Sequence, residues 1–156
     1  MDILIWFEPL FDKHIYTAAL LGAIIGLERE IAGKDPSLRT FALISMGSCI
    51  FGILSHTTVS GIAGGDPSRI AAQVVAGIGF IGAGAIFRSP KGVSGLTTAA
   101  LMWATAGIGL AVGFDRFDLA FSATIAALLV TLCLNIVHQI IRWIRGEDRS
   151  TLMKSE

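Results

Sequence analysis

Charged residues leave five gaps along the chain. Residues 15–27, 40–65, 70–87, 93–114 and 119–141 contain no Asp, Glu, Lys or Arg, and each gap is dense in aliphatic side chains. A helix in water keeps one charged face. A segment that is apolar on every side belongs in lipid, where a charge at the bilayer centre costs about 2.5–3.5 kcal/mol on insertion scales. The pattern predicts an all-α polytopic membrane protein, a bundle of five transmembrane helices. The first apolar run has only 13 residues, about 20 Å of helix, so helix 1 is expected to continue through Glu28, Arg29 and Glu30. Helix 2 is expected over 38–59, helix 3 over 70–87, helix 4 over 93–114 after a short loop at 88–92, and helix 5 over 119–144. The domain organisation is then an interfacial N-terminal segment (1–14), a transmembrane domain (15–144) and a cytoplasmic tail (145–156).

Residues 66–88 look like the packing centre. Asp66-Pro67 is a helix-start signal, an acceptor for free N–H groups followed by a residue that has none. Ser89-Pro90 is a stop. Between them Ala72, Ala76, Gly79 and Ala83 fall on nearly one face, with Gly77 beside it and Gly82 and Gly84 continuing the run. Small residues at that spacing let a second helix approach closely in lipid. Ala18, Gly22 and Gly26 form a similar face on helix 1. Gly77, Gly79 and Gly82 also spell the GxGxxG dinucleotide fingerprint. That motif needs a preceding strand and an acid about 20 positions on; helix precedes it here, so helix packing is the reading taken. Asp35-Pro36-Ser37 repeats the opening of Asp66-Pro67-Ser68, and three matching residues are read as coincidence.

Composition agrees with this picture: 53% of residues are hydrophobic and 15% charged, against about 25% charged in soluble domains. Net charge is zero and no basic block occurs, so nucleic acid is not an expected partner. With the N-terminus outside, nine Lys and Arg residues fall on the cytoplasmic side and three outside, which predicts N-out/C-in. The opening MDILIWFEP lacks the basic start of a signal peptide, and Trp6, Phe7 and Phe11 suit headgroup depth. Cys49 and Cys133 lie in apolar runs and read as packing residues.

No nucleophile–base spacing, HExxH, CxxC or P-loop occurs, so no enzyme and no cofactor are expected. The polar residues of interest lie at helix ends: Glu28, Arg29, Arg39 and Arg88 on one side, Asp66, Arg69 and Gln73 on the other. For Glu28, Arg29 and Arg39 two readings stand, a cluster that binds an ion or gates a path and a set of helix-end anchors. Asp66 reads first as a cap. Magnesium would need oxygen ligands, and the carboxylates near membrane depth are split between the two sides. Thr97, Thr98 and Thr105 read as packing hydroxyls, Trp103 as a packing residue, and Asn135 with His138 as a buried inter-helix hydrogen-bonding pair.

Taken in order, Gly26-Leu-Glu-Arg-Glu30, Leu38-Arg-Thr40, Gly47-Ser48, Asp66-Pro-Ser-Arg-Ile-Ala-Ala-Gln73, Gly77-Ile-Gly-Phe-Ile-Gly-Ala-Gly84, Arg88 and Gly95-Leu-Thr-Thr-Ala-Ala100 with Trp103 resemble the membrane domain of the MgtC/SapB family. The resemblance implies a multi-pass protein of the bacterial inner membrane, tied to growth at low magnesium, acid tolerance and survival in macrophages. It implies action on partners such as the ATP synthase and Mg²⁺ as the ion concerned; the Gly/Ala faces predict assembly with a second copy or with another membrane protein such as a transporter. It marks Glu28, Arg29, Arg39, Asp66, Arg69, Gln73 and Arg88 as signature polar positions. Many members add a C-terminal ACT-like domain, which is not expected here.

Overall fold

The computed structural model describes residues 13–59, 65–90 and 92–144. Most of the interfacial segment, including Trp6, Phe7 and Phe11, and the whole of the tail lie outside the described residues.

Five helices are described: α1 (Lys13–Ile31), α2 (Leu38–Thr57), α3 (Ser68–Gly84), α4 (Leu96–Gly113) and α5 (Phe117–Ile144). Helix α1 runs through Glu28, Arg29 and Glu30, as its short apolar run requires. Three helices, α2, α4 and α5, are long and apolar enough to cross a membrane. Helix α3 is also apolar but has 17 residues, and α1 carries Lys13 at its start and Glu28, Arg29 and Glu30 at its end. The fold is that of a helical, multi-pass membrane protein.

The packing centre is α4, which corrects the expectation placed on 66–88. Among the described helices α4 packs on all four others, whereas α3 packs chiefly on α2 and α4. Met102, Thr105, Ala106, Ile108 and Val112 of α4 are buried, but in α3 only Ile78 and Gly82 are. Helices α1 and α2 meet backbone to backbone: a Cβ on Gly26 would stand 2.5 Å from Leu38 Cα, and one on Gly22 would strike the Phe41 carbonyl. Gly109 and Gly113 of α4 make the same close approach to Ser45 and Cys49 of α2. Phe41, Ile25 and Cys49 fill the core between them.

The link between α3 and α4 is a β-hairpin rather than a loop. Strand β1 (Phe87–Ser89) pairs antiparallel with β2 (Gly92–Ser94), Arg88 opposite Val93. Val93 and Ser94, expected in helix 4, are therefore strand. Pro90 blocks helix continuation. Gly95 turns the chain into α4 at φ 84°, where a Cβ would collide with the Ala85 carbonyl.

The two Asp-Pro-Ser openings fold differently. Asp66 Oδ1 accepts the Ser68 N–H at 2.9 Å and the Ser68 hydroxyl at 2.7 Å. Ahead of α2 the Asp35–Pro36 bond is cis, and Glu30 accepts the Leu38 N–H at 3.4 Å. Thr105 donates to the Leu101 carbonyl at 2.7 Å, as a packing hydroxyl does. Trp103, Cys133, Asn135 and His138, by contrast, are exposed on the outer faces of α4 and α5. An apolar span has no polar face to orient it, so its outward residues cannot be told from inward ones by hydropathy.

Candidate functional site

The helices alternate in direction, so polar groups gather at two opposite ends of the bundle. One end holds the last turn of α1. There Glu28 and Arg29 form a two-pronged ion pair, with side chains 9% and 5% exposed. Neighbouring helical positions do not normally face each other. These two side chains nevertheless meet, two residues beyond the close α1–α2 approach at Gly26. A charge held there without a partner is costly, so each residue is the condition for burying the other. Arg39 on α2 and Arg88 on β1 share this end but are exposed and stand outside the pair.

The other end holds Asp66, Arg69 and Gln73. They line a cavity of about 460 Å³ together with Ser55 and Thr58 of the α2 end. The Ser68 hydroxyl and amide hold the Asp66 carboxyl below its usual value, so it is an anion at neutral pH. Ser55 ties the two helices: its hydroxyl donates to the Pro67 carbonyl and accepts the Ala71 N–H at 3.4 Å. Gln73 also borders a second, apolar cavity of about 610 Å³ between α2 and α3. The sequence reading separated the signature positions into these two ends. It did not single out Ser55, whose only signal was a hydroxyl in an apolar run.

A third contact lies at the second end. His14 Nε2 donates to Asp115 Oδ1 across 2.8 Å, joining the start of α1 to the α4–α5 turn. Phe117 stacks against the His14 ring at 5.2 Å. The hydrogen bond from His14 holds the Asp115 carboxyl below its usual value. No sequence spacing announces this pair.

The small residues divide by surroundings. Gly22 and Gly26 sit against α2, and Gly82 faces Ala99 of α4 at 3.6 Å. A Cβ on Gly77, Gly79 or Gly84 would meet nothing within 4 Å. Ala72, Ala76, Gly79 and Ala83 all point out of the chain, beside Phe80 at 87% exposure.

Four of the described carboxylates accept from side chains of the protein: Glu28 from Arg29, Asp66 from Ser68, Asp115 from His14 and Asp118 from Arg116. Among the described residues no three of His, Cys, Asp and Glu gather as a metal site would require.

The profile of the MgtC family matches residues 15–140, a span that takes in both polar ends and all five helices. The chain belongs to the MgtC family. It is 44% identical over 135 residues to "Putative magnesium transporter YhiD" of Escherichia coli, covering 83% of this chain and 61% of that protein. It is 47% identical over 124 residues to "Protein MgtC" of Salmonella typhimurium, covering 80% of this chain and 50% of that one. An uncharacterised protein of Haemophilus influenzae is 40% identical over 147 residues, 90% of this chain and 60% of its own. The chain thus spans between half and about three-fifths of these curated MgtC-family relatives. No solved structure matches.

Proposed function

We propose that this MgtC-family chain is a non-enzymatic, magnesium-linked adaptation protein of the bacterial inner membrane that acts by binding other membrane proteins. Its arrangement is five transmembrane spans, N-out/C-in, with the family's ties to magnesium limitation, stress and virulence. The observation that carries the binding role is the outward face of α3. Ala72, Ala76, Gly79 and Ala83 offer an exposed close-approach surface on the side of α3 away from its contacts with the described helices α2 and α4. Small residues at such spacing are how helices associate where lipid supplies no hydrophobic drive. Asn135 and His138, exposed on α5 within an apolar run, add polar groups of the kind that bond across helices in membranes. A second copy, a transporter or the ATP synthase are the partners to try first.

The test uses Gly79→Leu. The substituent enters open space in the single chain, so the protein is expected to insert and fold while losing co-purification with its partner or with a tagged second copy. Retained binding would sink the reading.

A second reading, a small transporter or channel for Mg²⁺ or protons, is favoured by the name of the Escherichia coli relative and by the buried Glu28–Arg29 pair, since ionisable groups at membrane depth often mark a pathway. Purified protein in vesicles loaded with a Mg²⁺-sensitive dye decides it. A flux shown by the parent protein and lost in Glu28→Gln protein that is still folded supports transport, and no flux from folded protein ends it. The pairing of Glu28 with Arg29 and of Asp66 with Ser68 supports the binding role, because Mg²⁺ takes oxygen ligands directly or through its waters.

A further inference from the structure

The crevice between α2 and α3 is built in two parts that join. Its deep part, about 610 Å³, is walled by Leu43, Phe51, Val74, Ile78 and Ile81. Its mouth, about 460 Å³, carries the charged and hydroxyl groups of Arg69, Asp66, Ser55 and Thr58 beside Val59. Ile70 and Gln73 border both. The apolar wall extends along α3 from Ile70 to Ile81, about 16 Å at 1.5 Å per residue, which is one leaflet of a hydrocarbon core about 30 Å thick. The mouth lies where α2 ends and α3 begins, at headgroup level for helices that span.

We propose that this crevice seats one zwitterionic aminophospholipid, its phosphate on Arg69, its ammonium on Asp66 and one acyl chain along the Ile70–Ile81 wall. Charge complementarity selects this occupant. An arginine and a carboxylate three positions apart match a phosphate and an ammonium two carbons apart. An anionic lipid brings no cation to Asp66, and a neutral hydrocarbon leaves both charges unused. Arg69 can offer the phosphate a planar fork of donors. Ser55, Thr58 and Gln73 supply further hydrogen bonds for ester and phosphate oxygens. A second helix fits this seat less well, because burying its backbone against Arg69 and Asp66 would strip both charges of water without matching them. The inference rests on the chain being a membrane protein and is independent of the partner-binding face, which lies on the other side of α3.

The protein is purified in detergent, incubated with phosphatidylethanolamine or with phosphatidylglycerol, and read by native mass spectrometry. One phosphatidylethanolamine per chain is expected to remain, in preference to phosphatidylglycerol. Arg69→Gln and Asp66→Asn are each expected to lower retention about tenfold, the loss of one charge-assisted hydrogen bond. Gly77→Phe places a ring into the crevice from a position with nothing within 4 Å, and is expected to empty it without unfolding the protein. Gly79→Leu, facing away, should keep the lipid even where it loses a partner. Equal retention of both lipids, or none by folded wild-type protein, overturns the proposal. So does a dimer that Gly77→Phe disperses, which would assign the crevice to a second copy.

Discussion

Glu28 and Arg29 place opposite charges on adjacent positions of one helix, and the fold buries both. Such a pair contributes little when intact and much when halved. Glu28→Gln is expected to lower stability in detergent by about 3–5 kcal/mol, whereas Glu28→Gln combined with Arg29→Met should regain most of it; thermal unfolding of the three proteins measures this. Asp115 behaves differently because it is exposed. Its carboxyl titrates below the usual 3.8 while His14 donates to it. A lowered folded-state value means the contact contributes above the unfolded value and is lost as pH falls through the folded one. The tie between α1 and the α4–α5 turn should therefore hold at neutral pH and release only below about pH 3.8. Asp115→Asn should remove that acid-dependent step from a melting-temperature profile. The Glu28–Arg29 cluster was legible in the sequence because charges next to a membrane run are conspicuous. The His14–Asp115 pair, 101 positions apart, was not, because nothing local in either segment refers to the other.

Among the elements, α1 and α2 are joined by the absence of side chains. Gly26→Leu is expected to force the helices apart and cost about 3 kcal/mol or more, near the upper end of overpacking effects, with circular dichroism and melting temperature as the readout. Helix α1's length was legible from its apolar run being too short to cross alone. The hairpin was not. Val93 and Ser94 are uncharged and merge with the apolar run of α4, and hydropathy does not distinguish a short strand from helix. The centrality of α4 over α3 was hidden for a related reason. Glycines at helical spacing look identical in the sequence whether another helix of the chain packs on them, as at Gly109 and Gly113, or a Cβ would meet nothing within 4 Å, as at Gly79.

For the whole molecule, five alternating helices leave the end of α5 on the side opposite the start of α1. A reporter active only in the cytoplasm and fused after residue 144 is expected to be active, while the same reporter in the 58–66 connection should be silent; the reverse pattern would invert the proposed orientation. Helix lengths carry a further consequence. Helix α3 has 17 residues and α5 has 28, about 26 Å and 42 Å of axis, in one bundle. A bilayer about 30 Å thick cannot fit both without adjusting. On the proposed five-span arrangement the long helix must lean or overhang, and the lipid beside the short one must thin. The annulus would then be lopsided, the membrane dipping next to α3 and bringing water and headgroups down to Asp66 and Arg69. Hydrophobic mismatch would make the α3 flank sensitive to acyl-chain length, with thinner membranes relaxing it and thicker ones driving it towards any neighbour that can cover it.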